Sequence, residues 1–78
     1  MIKDNDKDNV EFLMKQAKVY FKKKIPVHIR LENEEWLNGK IIEISSEFLM
    51  LNEFKRGDLP IFFSQIIDID KFRDRENE

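Results

Sequence analysis

The sequence predicts a mainly β protein, an N-terminal α-helix followed by a five-stranded, strongly bent antiparallel small β-barrel. Three observations predict it. Apolar residues recur at helical spacing up to Phe21, and at a period of two after Pro26. The later apolar runs are short and separated by brief polar connections. A glycine, Gly39, interrupts the second of these runs, and a glycine inside a strand marks a sharp bend or a close backbone approach.

The helix is expected over about residues 9–23, after a flexible segment 1–8 that lacks apolar periodicity. Asp8 or Asn9 suits the N-cap, and Glu11 lies in the first turn, where negative charge is favoured. Val10, Leu13, Met14, Ala17 and Phe21, with Tyr20 beside them, form the apolar face. Pro26 ends the helix, because the residue before a proline avoids the helical region.

The barrel is expected over about residues 26–70. Val27, Ile29 and Leu31 alternate with His28, Arg30 and Glu32, as in a half-buried first strand. Asn33-Glu34-Glu35 is a polar turn, and Trp36 to Ile44 is the second strand, with Leu37, Gly39 and Ile41 on one face. Ser45-Ser46 breaks the run before a third strand, Phe48 to Leu51. Phe54 to Asp58 is a glycine-centred loop; its Arg56-Gly57-Asp58 spells a cell-adhesion tripeptide but is accounted for by turn chemistry. Ile61 to Ile69 carries strands four and five with a bend near Ser64-Gln65, and 72–78 is a charged tail. Residues 9–71 thus form a single domain.

Composition narrows the function. A chain of 78 residues buries only about 60% of the surface its unfolded form exposes, so its core is thin and self-association is favoured. It contains no cysteine, which excludes disulfides and thiolate metal sites. No apolar run approaches the roughly 20 residues of a membrane span, and Met1 to Asn9 is unlike a signal peptide, so the expected compartment is the cytoplasm. The net charge of −2 is not that of a uniformly basic nucleic-acid binder.

Catalytic chemistry lacks its parts. His28 is the single histidine, sits in mid-strand and has no nucleophile signature near it. Metal-ligand spacing is absent, and Gly39 and Gly57 cannot form a phosphate loop. The expectation is a binding protein, with no enzymatic activity, no metal and no cofactor.

The stretch Val27-x-Ile29-x-Leu31-x-Asn33, then Leu37-x-Gly39-x-Ile41 and Ile44, then Phe48-Leu49-Met50-Leu51 and Ile61-Phe62-Phe63-Ser64-Gln65-Ile66-Ile67-Asp68-Ile69, resembles the Sm/Lsm family, including its bacterial Hfq branch. The preceding helix is also a family feature. The resemblance implies an Sm-like barrel whose fourth and fifth strands pair with neighbouring subunits in homo-oligomeric rings of six or seven. It further implies binding of single-stranded RNA at the pore. Phe62, Phe63 and Ile67 are the candidate interface residues. Phe62 and Phe63 point to opposite faces, so one serves the core while the other needs a second cover; packing under the helix is the competing explanation.

The sequence departs from the family where the pore would bind RNA. The family's Asp-x-x-x-Asn falls at Ser45 and Leu49, its Arg-Gly near Phe62 and Phe63, and the bacterial Lys-His at Phe63 and Ser64. On the opposite face, matching positions hold Arg30, Trp36 and Asn38, which suit stacking and hydrogen bonding to unpaired bases, although Glu34 and Glu35 lie beside them and Trp36 also suits capping a barrel end. Lys15, Lys18, Lys22, Lys23 and Lys24 offer a third surface that would track phosphates, or equally a solvated helix face. The leading expectation is an RNA-associated oligomer using these residues. The alternative is a protein-interaction or assembly module that has kept the barrel and lost RNA binding.

Overall fold

The computed structural model describes residues 2–73, with side chains from residue 9 onward. Helix α1 spans Ile2–Lys23 and starts well before the expected residue 9. Extending a helix costs far less than nucleating one, so its first residues need no apolar period of their own. Met1 and residues 74–78 of the expected tail lie outside the described residues.

The helix ends in a Schellman motif. Lys24 N–H donates to the Phe21 carbonyl at 3.2 Å, and Ile25 N–H donates to the Tyr20 carbonyl at 3.0 Å. Lys24 holds the left-handed conformation that this cap requires, at φ 59°. Leu13 and Ala17 are buried, with Val10, Met14 and Tyr20 packed beside them. Phe21 departs from the expected apolar face: it is one of the exposed large apolar residues.

Strands β1 (Val27–Leu31), β2 (Trp36–Ile44), β3 (Phe48–Glu53), β4 (Gly57–Phe62) and β5 (Ile66–Lys71) form one antiparallel sheet in the order β4-β3-β2-β1-β5. A 3-10 turn, Phe63–Gln65, separates β4 from β5 where the bend was expected. The third strand runs on to Glu53, and the fourth begins at Gly57, within the segment expected to be loop. Gly57 is at φ 82°, which closes this hairpin and starts β4 at once. The sheet does not close on itself: β4 and β5 are its two edges.

One face of the sheet is the core. Val27, Ile29, Leu31, Leu37, Ile41, Leu49, Leu51, Ile61, Phe63, Ile66 and Ile69 cluster there with Leu13 and Ala17 of the helix. Helix α1 lies against β2, β5 and the 3-10 turn. Phe63 is 1% exposed. The expectation that it serves a subunit interface is therefore corrected: its ring fills this chain's own core.

Two features hold the bend. A β-carbon on Gly39 would lie 2.1 Å from the Asn52 carbonyl oxygen, so β2 and β3 approach more closely than any other residue allows. Two residues further on, the register of β2 against β3 shifts between Ile41 and Glu43, a bulge that sharpens the local twist. The second feature is Glu53, a carboxylate only 7% exposed at the end of β3. It accepts hydrogen bonds from the backbone N–H groups of Lys55 (2.9 Å), Arg56 (2.8 Å) and Asn38 (3.2 Å). Burial pushes its pKa up, but these three donors and the Arg56 charge together outweigh burial and hold it below its ordinary 4.5.

Three variants test these features. Gly39→Ala destabilises by about 3 kcal/mol or more, because the clash is with backbone that cannot step aside. Gly57→Ala costs only about 1–2 kcal/mol, since space is free and only the positive φ opposes it. Denaturant titration of the two variants separates them. For Glu53, the charged form is the bound form, so its contribution is complete above pH 4.5 and is lost as pH falls through the lowered folded value. Glu53→Gln should be less stable at pH 7, by about 1–3 kcal/mol. Its stability should also fall less steeply on acidification than that of the native chain; parallel pH profiles would refute the assignment.

Candidate nucleic-acid interface

The outward face of β1 and β2 brings together three of the sequence-derived candidates. The register pairs Arg30 with Trp36 and His28 with Asn38. Leu31 N–H donates to the Glu35 carbonyl at 2.9 Å, and the alternation of antiparallel bonds then makes both pairs non-hydrogen-bonded ones, where side chains stand closest. The Trp36 indole stacks on the His28 ring, with centroids 4.1 Å apart and planes within 10°. The Arg30 guanidinium lies 5.6 Å from the Trp36 ring centroid. His28 Nδ1 is hydrogen-bonded to Asn38 Oδ1. Trp36 is nevertheless 49% exposed, so the stack is a surface platform rather than a plug.

The platform has a fixed base. Asn38 N–H donates to the Glu53 carboxylate, and the Asn38 carbonyl accepts from Phe54 N–H at 2.8 Å. Its flank on β5 is acidic, with Asp70 opposite His28 and Asp68 opposite Arg30. Glu35 is drawn away, pairing with Arg56 at 3.5 Å.

His28 is the member that sequence reasoning missed. The sequence reading makes it a half-exposed strand residue with no catalytic or metal role, and assigns it no part in binding. Pairing the two strands about the Asn33-Glu34-Glu35 turn would have set residue 28 opposite 38 and diagonal to 36, and that signal was present in the strand alternation.

The five helix lysines are all exposed, but they do not act as one surface. Lys22 and Lys24 line a groove of ≈ 450 Å³ with Phe21, Ile25, Lys40, Ile41 and Ile42. Lys15, Lys18 and Lys23 do not line it. Lys40, which sequence reasoning also missed, is the link. It lies two residues beyond Asn38 on the same face of β2, about 7 Å along the strand. Lys40 thus shares one face of β2 with Asn38 and Trp36 and also lines the groove that Lys22 and Lys24 border.

The pore positions of the family are occupied by structural residues. The Ser45 hydroxyl donates to the Phe48 carbonyl at 3.2 Å and accepts from the N–H groups of Glu47 and Phe48, so it shapes the β2–β3 turn. Leu49 is fully buried. Of the interface candidates, Phe62 on β4 is 45% exposed and Ile67 on β5 is 44% exposed, one at each sheet edge. Among the described residues no group of three or more His, Asp or Glu side chains is placed to hold a metal ion, and no helix is long and apolar enough to cross a membrane.

No protein-family model and no curated protein sequence matches the chain. Among solved structures, it is similar to a crystal structure of Hfq, described there as a pleiotropic translational regulator. The match has a TM-score of 0.65 at 18% identity, and covers 72% of this chain and 92% of that one. A helix leading into five antiparallel strands of an open, bent sheet is therefore, in this chain, the Sm-like fold.

Proposed function

We propose that this chain is a non-catalytic, self-associating Sm-like protein that binds single-stranded RNA along β2. The series Lys22, Lys24, Lys40, Asn38, Trp36 is the observation that carries the reading. Lysines attract phosphate without regard to sequence, and an exposed indole offers a flat face to any unpaired base. The indole is held by its stack on His28, whose ring is itself hydrogen-bonded to Asn38, so little order is lost on binding. The comparison with a translational regulator supports the same direction. The cytoplasm is the compartment proposed for it.

Self-association rests on the two open edges of the sheet and on the exposed Phe62 and Ile67 beside them. A second reading, a protein-assembly module without RNA binding, is favoured by the structural use of Ser45 and Leu49 and by Asp68 and Asp70 beside the platform, which repel phosphate.

A salt series of binding to a labelled single-stranded RNA separates the two. Replacing Lys22, Lys24 and Lys40 together by Ala should weaken binding at least tenfold. It should also flatten the dependence of log affinity on log salt by about 2, near 0.7 for each lost phosphate contact. Trp36→Ala should weaken binding by about 1–3 kcal/mol while leaving the salt slope unchanged, because stacking releases no counterions. Lys15 and Lys18 replaced together should change affinity little. Absence of binding by the native chain at low salt would leave the assembly reading standing.

A further inference from the structure

The platform on β1 and β2 holds the chain's one histidine. His28 is half-buried between two strands of different character. On its β2 side, Trp36 stacks on the ring and Asn38 stands directly opposite. On its β5 side, Asp70 stands opposite, and Asp68 stands opposite Arg30, the next outward residue of β1. Phe72 N–H donates to the Pro26 carbonyl at 3.0 Å. The alternation of bonds then makes 28–70 and 30–68 hydrogen-bonded pairs, with Cα atoms about 5.5 Å apart. Lys40 is the next charged residue beyond Asn38 on this face of β2, and the buried Glu53 carboxylate is held by the Asn38 N–H. Helix α1 packs against the core face, and its Lys22 and Lys24 share a groove with Lys40.

The hydrogen bond to Asn38 decides where a proton can enter. Asn38 Oδ1 only accepts, so His28 Nδ1 carries a hydrogen in both charge states. A second proton goes to Nε2, and neither the hydrogen bond nor the stack has to break. A cation is also attracted to the face of an indole. With a neutral imidazole, the two rows across β1 and β5 set one cation, Arg30, against two carboxylates, Asp68 and Asp70. That balance repels phosphate. An imidazolium makes it two against two, with the new charge in contact with Trp36. Imidazole is the side chain whose ordinary change of charge falls between about pH 5 and 8.

Resting on the RNA-binding reading, we infer that His28 is a pH-dependent cationic contact of the platform: with a proton on Nε2 it draws an RNA phosphate to the side of Trp36, and without it the acidic flank of β5 holds the phosphate off. RNA binding along β2 is therefore strengthened by mild acid. His28 has two duties, orienting the indole at any pH and supplying charge only when protonated.

Trp36 is the chain's one tryptophan, which makes the charge of His28 visible without RNA. A protonated imidazole in contact with an indole quenches its emission. The experiment follows Trp36 emission of the full chain from about pH 8 to about pH 5.5, and measures binding of a short labelled single-stranded RNA at both ends of that range. His28→Phe keeps a flat ring for the stack and cannot take a proton; His28→Gln keeps an amide to meet Asn38 and cannot take one either. Circular dichroism confirms that each is folded. In the native chain emission should fall on acidification, and affinity should rise about tenfold, with the slope of log affinity on log salt steeper by about 0.7 for the added phosphate contact. Both variants should give flat emission and the same affinity at the two pH values. Asp70→Asn should raise affinity at pH 8 and keep the response to acid. An equal rise in affinity in the native chain and both variants would overturn the role of His28. A fall in native emission with no rise in affinity would overturn the contact between its charge and the RNA. Absence of RNA binding at both pH values in low salt would strike the RNA-binding reading itself, a result distinct from either because emission still reports the protonation of His28.

Discussion

The close approach of β2 and β3 at Gly39 is the constraint on which the rest of the molecule depends. The Asn52 carbonyl stands where a side chain would begin. That contact, with the bulge just beyond it, lets one nine-residue strand serve both halves of a strongly bent sheet. The bend brings Leu37 and Ile41 toward the same core as Leu49, Leu51 and Ile69. It also sets Trp36 and Asn38 on one side of the turn in the sheet and Lys40 at its shoulder, near the end of the helix. A straighter strand would leave a flat sheet, with a core too thin for a chain of 78 residues and with the lysines remote from the indole.

Much of this was legible in the sequence because it rests on local alternation. The change from helical to two-residue period at Pro26, the bounds of β1 and β2, the polar turn between them and the meaning of Gly39 all follow from steric rules that act over a few residues. What failed was set by tertiary surroundings. Phe62 and Phe63 are adjacent apolar residues of a strand end; only the position of the 3-10 turn under the helix decides that Phe63 goes inward and Phe62 outward. The early start of α1 escaped because its first residues carry no apolar period, and helix propagation needs none. The extension of β4 to Gly57 escaped because a turn glycine and a strand residue look alike until Glu53 is seen to close the loop.

The candidate site was half legible for the same reason. Arg30, Trp36 and Asn38 could be placed on one face by counting in twos. The five lysines could be named but not sorted, since exposure is the default for a lysine and convergence is a property of the fold. Only the packing of the helix end against β2 singles out Lys22 and Lys24 and adds Lys40. The His28–Trp36 stack is a cross-strand diagonal, a relation visible once a register is fixed. Glu53 shows how far such a site extends: one buried carboxylate closes the β3–β4 hairpin and at the same time fixes the backbone of Asn38, under the platform.

Lys24 carries a consequence of a different kind. It fills the left-handed cap of α1, a place where glycine is the residue of least strain, at a cost of about 1 kcal/mol or more. The same residue lends its ammonium to the groove. A more stable version of this protein is therefore one substitution away and would lack a charge at the mouth of its candidate site. Stability and the charge of the groove therefore make opposite demands on this one position.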